Sequence, residues 1–346
     1  IVFYELGFAD RVVAMDLSSL FEEVISAKDL AIQALKLQSE QVFAKLETYP
    51  SYLNVVIPRI LDTLAARNLR ITFFVVGQDA ALEYNRHALS QLASAGHEIG
   101  NHSLKHEPWL HLFSEAELEH ELAEAERYIQ AATGYKPTGF RGPGYSQSFA
   151  LLRVLSRRGY VYDASSLPSF IGPLARAYYL ATGQFGAEQR EKLNRLFGSW
   201  KDGLRPLKPY RWSFDQTTLL EMPVTTFPIF RVPIHLSYVM FLAGFSPVLA
   251  KAYFYTALWS CRIFGVEPSI LLHPLDFLGG EDVPRLKFFP SMKMSSKEKI
   301  NIVEHCLNNL TNLFDVKTVG EHAAIVTNRQ NLIHVTPSNP SRDIAY

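Results

Sequence analysis

His102 and His106 stand four residues apart in the stretch Gly96-His97-Glu98-Ile99-Gly100-Asn101-His102-Ser103-Leu104-Lys105-His106. Side chains at i and i+4 share one face of a helical turn, so a turn here lets both imidazoles grip one divalent ion. Three further polar side chains follow short apolar runs. Asp16 comes after Val12–Met15, Arg141 after Phe140, and His273 after Ile270–Leu272. Polar groups at the C-terminal ends of parallel strands meet in one pocket, because the βα loops converge there. One pocket can therefore hold an Asp, a His pair, an Arg and a further His. Two histidines with one carboxylate is an ordinary ligand set for hydrolytic zinc.

The elements that must position these groups follow from periodicity. Leu69–Val76 is a continuous apolar run closed by Gly77, the pattern of a strand buried on both faces. A strand is also expected over 11–16, with a helix from Ser18 to about Glu47. Further helices are expected over 54–67, 79–95, 114–133, 148–158 and 296–313. Ser114 with Glu117 forms a capping-box signature, and Gly134 suits the C′ position of the same helix. Strands are expected at 97–100, around Phe140, at 160–163, 219–224 and 269–273, with a last one at 315–318. Alternation of strand and helix through residue 165 implies a parallel sheet or barrel. From 166 to about 215 the rhythm breaks, which reads as an insertion on the pocket side. Residues 236–259 are strongly apolar but interrupted by Gly244, Pro247 and Lys251, so a buried helix pair or a lipid-facing lid is expected there rather than a membrane span. The tail after about residue 327 is polar.

Bulk properties exclude several classes. The chain has 346 residues, 48% of them apolar and 20% charged, enough for a sizeable core. Thirty-four basic residues balance 34 acidic ones, with none of the basic excess of a nucleic-acid binder. Two cysteines, Cys261 and Cys306, make neither a disulfide framework nor a CxxC metal site. They fit a reducing compartment, and no signal-peptide pattern is read, so a cytoplasmic location is expected. Membrane association is left open rather than predicted, as is the oligomeric state.

Taken together, Thr72-Phe73-Phe74-Val75-Val76-Gly77, the HSxxH element His102–His106, Phe140-Arg141-Gly142-Pro143-Gly144-Tyr145 and Leu271-Leu272-His273 resemble the polysaccharide deacetylases of carbohydrate esterase family four, the NodB-homology proteins. The resemblance covers roughly residues 49–165 and 219–320. It implies a distorted (β/α) barrel of about seven parallel strands over 49–327, preceded by an atypical strand and long helix in 1–48, with an insertion at 166–215 and a tail at 328–346. It also implies metal-dependent N-deacetylation of an N-acylated sugar or polysaccharide, free or lipid-linked. In that reading His102 and His106 bind a divalent ion, usually zinc, and Asp16 supplies the first-motif carboxylate, as base or as metal ligand. Arg141 orients the base, His273 is the general acid, and a backbone N–H of Gly144 or Tyr145 meets the oxyanion. Asp163 supports Arg141 or His273, or caps the next turn. The family's second first-motif acid is replaced by Ser18 if the one-apart spacing applies. Two alternatives therefore stand beside the deacetylase reading: a small-molecule amidohydrolase on the same scaffold, and a catalytically impaired carbohydrate-binding relative.

Overall fold

The computed structural model describes residues 2–3, 52–107, 109–170, 200–284 and 290–337. The helix expected over 18–47 and the strand expected over 11–16, with Asp16 and Ser18, lie outside them. The strands are β1 (Val2–Phe3), β2 (Thr72–Val75), β3 (Glu98–Asn101), β4 (Gly139–Phe140), β5 (Tyr162–Asp163), β6 (Tyr210–Phe214), β7 (Thr217–Glu221), β8 (Leu271–Leu272) and β9 (His334–Val335). The helices are α1 (Leu53–Ala65), α2 (Gly77–Ala81), α3 (Arg86–Ser94), α4 (Glu115–Thr133), α5 (Phe149–Arg157), α6 (Trp200–Gly203), α7 (Leu236–Ala243), α8 (Pro247–Ile263), α9 (Ser296–Leu313) and α10 (Val319–Thr327).

The fold is an α/β distorted barrel. Its sheet runs β8-β1-β2-β3-β4-β5-β7-β6-β9, and the first seven of these are mutually parallel. Beyond the ends of β7 and β8 the two sides of this run meet. The Thr225 N–H donates to Ser269 O at 3.0 Å, and the Ser269 N–H donates to Thr225 Oγ1 at 2.7 Å. The β6–β7 hairpin extends the sheet outward, turning at Asp215-Gln216, both at positive φ (44° and 61°). Such a turn matches the right-handed twist of the strands that it joins.

The interior is filled as a buried parallel sheet requires. All four residues of β2 are buried. Glycines at two inward positions make room for rings. A Cβ on Gly100 would come within 2.5 Å of the Phe74 ring, and one on Gly139 within 2.1 Å of Tyr162. Phe74 and Tyr162 meet edge-on at 6.4 Å between centroids. At the opposite end of the strands Glu98 accepts from Tyr162 Oη, Thr72 Oγ1 and the Gly320 N–H, which holds the N-terminus of α10 against the barrel.

Several expected elements differ in detail. Residues 79–95 are two helices joined by a single turn at Glu83–Asn85, not one helix. No strand forms at 315–318; those residues lead into α10, capped by Thr318 with Glu321. His334–Val335, within the expected polar tail, pairs with β6. The apolar 236–259 region is the helix pair α7 and α8.

Candidate active site

The histidine pair sits in a loop, not on a helical turn. Ser103 and His106 both have positive φ (65° and 57°), so the segment after β3 coils back on itself. Four contacts hold that coil. Asn101 Oδ1 accepts from the Ser103 N–H, Ser103 Oγ accepts from the His106 N–H, and Glu121 of α4 accepts from the Leu104 and Lys105 N–H groups. The outcome is still a pair: the rings lie 4.8 Å apart between centroids at 72°, and both residues are buried.

Arg141, at the end of β4, orients the first ring. Its carbonyl lies 2.6 Å from His102 Nδ1. A carbonyl can only accept, so Nδ1 carries the proton and Nε2 keeps its lone pair, as a metal-ligating imidazole requires. The Arg141 side chain is itself buried. Nε donates to Ala164 O at 2.8 Å, and the guanidinium carbon lies 4.9 Å from the Phe74 ring centroid. Both Nη atoms are buried with no hydrogen-bond partner among the described residues. Burial lowers the guanidinium pKa to about 10, against the opposing pull of Tyr145, Tyr162, Asp163 and Glu221. A buried cation with two idle donors is costly unless an anion completes it.

The loop that follows gives only one of the two expected backbone donors. Gly144 and Tyr145 lie at φ 56° and 61°, and the Tyr145 N–H donates to Gly142 O at 3.1 Å. That proton is already engaged in the turn, which leaves Gly144 as the oxyanion candidate.

His273 ends β8 on the same end of the sheet, with β1 and β2 between it and β3. Its Nδ1 lies 2.6 Å from Ser237 Oγ, which donates to Asp276 Oδ1 at 3.3 Å; Asp276 Oδ2 also accepts from the His273 N–H. The His235 ring is 5.8 Å away. Burial raises the Asp276 carboxyl, partly countered by His273.

Asp163 touches neither Arg141 nor His273 by a hydrogen bond. Its Oδ1 accepts from Ser165, whose Oγ accepts from the Gly142 N–H, so it supports the Arg141 loop through one intermediary. Its real partner is Glu221, at the end of β7. Gln147 Nε2 donates to Asp163 Oδ2 at 2.7 Å and to Glu221 Oε2 at 2.8 Å. Glu221 also accepts from Trp212 Nε1 and the Ser166 N–H. Burial first, then the charge of Asp163, pushes Glu221 well above the usual carboxylate range. Sequence reasoning passed over Glu221, Gln147, Ser237 and Asp276. The one available signal was an acid in the apolar run Leu219-Leu220-Glu221-Met222, since a lone carboxylate there must find partners.

A third carboxylate or imidazole is the missing part. No group of three His, Cys, Asp or Glu gathers as a metal site among the described residues. The slot between β2 and β8 is filled by Val2–Phe3, so β1 is the strand that ends beside the histidine pair's neighbours. In sequence, Glu5 follows that strand by two residues. Glu5 and Asp16 both lie outside the described residues.

Comparison with known proteins places part of the chain beside a known family. Residues 46–162 match the family model described as polysaccharide deacetylase. Over these residues the chain is similar to that family. A peptidoglycan-N-acetylglucosamine deacetylase of Bacillus cereus is 35% identical over 86 residues, 25% of this chain and 30% of that protein. A peptidoglycan deacetylase of Helicobacter pylori is 28% identical over 153 residues, 44% of this chain and 48% of that protein. The chain thus spans less than half the length of these curated relatives. Among solved structures, a putative polysaccharide deacetylase from Mycobacterium smegmatis is similar at TM-score 0.55 and 19% identity, covering 83% of this chain and 81% of its own. That likeness is one of fold.

Proposed function

We propose that the chain hydrolyses the N-acetyl amide of an amino sugar in a polysaccharide, with a divalent ion, zinc by its donor set, held by His102 and His106. The observation that carries this reading is the pairing of a tautomer-fixed imidazole with a buried Arg141 whose two Nη atoms have no partner among the described residues. The relatives' names, both peptidoglycan deacetylases, support the substrate class.

The two imidazoles fit such an ion as part of its ligand set, and a carboxylate from outside the described residues must complete it. Asp16 is the candidate from motif spacing; Glu5, next to β1, is the candidate from the sheet. When bound, the ion supplies Lewis-acid polarisation of the amide carbonyl and a lowered pKa for its water. Whichever of Asp16 and Glu5 serves as base, Arg141 would hold it ionised and aimed, by two charge-assisted hydrogen bonds. That carboxylate takes the proton of the attacking water. Gly144 N–H donates to the developing oxyanion. His273, steadied through Ser237 by Asp276, gives a proton to the departing amine. The products are acetate and a free amino sugar.

Acetate release from chitooligosaccharides and peptidoglycan fragments by the zinc-loaded protein tests this. Release that falls to background in His273→Ala is the expected outcome; no release from any N-acetylated glycan overturns it. The impaired-relative reading rests on Ser18, which stands where the family's second first-motif acid would be if the one-apart spacing applies. It predicts no gain of acetate release at any zinc concentration.

A further inference from the structure

The second helix of the α7–α8 pair is apolar on two opposite faces. Ala250, Phe254, Ala257, Leu258 and Cys261 are buried against the barrel. Val248, Tyr255, Trp259 and Ile263, spaced seven, four and four residues apart, fall on the other side and are exposed, Val248 at 77% and Ile263 at 74%. Phe241, in the last turn of α7, and Phe245, two residues beyond its end, are exposed as well, Phe245 at 75%. An apolar stripe of this length on a charged, globular chain marks a contact surface.

What it contacts follows from charge and residue type. From 222 to 266 the sequence holds no Asp or Glu, while Arg231, Lys251 and Arg262 all lie in it. Lys208 adds a cation at the C-terminal end of α8: its Nζ lies 3.3 Å from where a Cβ on Gly265 would stand. The chain as a whole balances its charges, so this acid-free stretch is a local bias. Tyr and Trp on the stripe are the residues that settle at the headgroup level of a bilayer, and Arg262 and Lys208, both exposed at the C-terminal end of α8, are cations of the kind drawn to anionic lipid. No helix of the described residues is long and apolar enough to cross a membrane, so the stripe lies on a surface rather than spanning it.

We infer that the exposed face of α7 and α8 docks on an anionic phospholipid surface. The docking face is continuous with the candidate active site. The first turn of α7 carries Ser237, which is bonded to His273, while its last turn carries Phe241, and Phe245 follows two residues beyond its end. Docking there holds the mouth of the barrel at a fixed distance from the lipid.

Co-sedimentation with vesicles tests this independently of catalysis. The wild-type protein is expected to partition onto phosphatidylglycerol–phosphatidylcholine vesicles and far less onto phosphatidylcholine alone. Phe245→Ser, Val248→Ser and Ile263→Ser together should lower partition at least about tenfold. Lys208→Glu with Arg262→Glu should lower it more than twentyfold, at about fivefold per cation removed. These positions are exposed, and an unchanged thermal midpoint confirms that the variants fold. As a second reading, Trp259 emission should be quenched by nitroxide lipids in wild type, and the quenching should be lost in Trp259→Phe. Equal partition onto neutral and anionic vesicles, or none onto either, overturns the inference. So does a lipid-independent dimer that the triple serine variant dissolves while vesicle binding persists, since the face would then belong to a second copy.

Discussion

Two corners of the barrel bury charged groups, and they do so in opposite ways. Beside β3 and β4, Arg141 is buried with both Nη atoms unpartnered among the described residues, and His102 has its tautomer fixed by a backbone carbonyl. Beside β5 and β7, Asp163 and Glu221 are equally buried, but Gln147, Trp212, Ser165 and Ser166 satisfy them from within the fold. Closed networks brace a structure; open ones wait for a ligand. The difference separates the candidate site from the scaffold that carries it, although both hold strand-end acids or cations.

The contrast can be broken in order of effect. Arg141→Met should lower kcat/KM on an N-acetylated glycan by about a thousandfold, some 4 kcal/mol of lost transition-state stabilisation. The thermal midpoint should fall as well, because the carboxylate that Arg141 is proposed to hold loses its partner, but the loss of kcat/KM should persist well below that midpoint, where the variant is folded. Full activity in the folded variant would mean that Arg141 is a brace instead. Glu221→Ala should cost about 3 kcal/mol in denaturant unfolding, since it strands the Trp212, Gln147 and Ser166 donors. Glu221→Gln should cost less than that, because its amide oxygen still accepts from one side of the network. Equal costs for the two would show that Glu221 acts through its charge.

The smallest effect is a pH dependence outside both corners. Burial lowers the His97 pKa to about 4, and its Nδ1 accepts from the Ile71 N–H at 3.2 Å. With a folded value below the unfolded ~6.5, the unfolded chain binds the proton first as pH falls. Stability is then full above about pH 6.5 and should drop by about 2 kcal/mol by pH 5. His97→Gln should flatten that part of the unfolding profile; an unchanged slope would assign it to other groups.

What the sequence made legible divides along the same line. The His pair, Arg141 and His273 were visible because each ends a short apolar run, and runs of that kind fix where a parallel sheet stops. The helical turn expected for His102 and His106 was wrong, since Asn101, Ser103 and Glu121 satisfy the backbone of a coil that spacing alone does not reveal. Glu221 and Gln147 stayed hidden because their partnership crosses from β7 to the β4 exit loop, a separation of 74 residues with no local period. β6 and α10 were hidden too: one is a hairpin arm inside an irregular stretch, the other a short helix whose N-terminus is fixed by Glu98 far along the chain.

The central claim is that His102 and His106 hold a metal. Zinc titration of the purified, chelator-treated protein by calorimetry, alongside His102→Ala, tests it most directly. The account predicts one ion per wild-type chain and an affinity loss in the variant beyond the ~100-fold that a lost supporting hydrogen bond causes. Equal binding by both proteins, or none by the wild type, would contradict it.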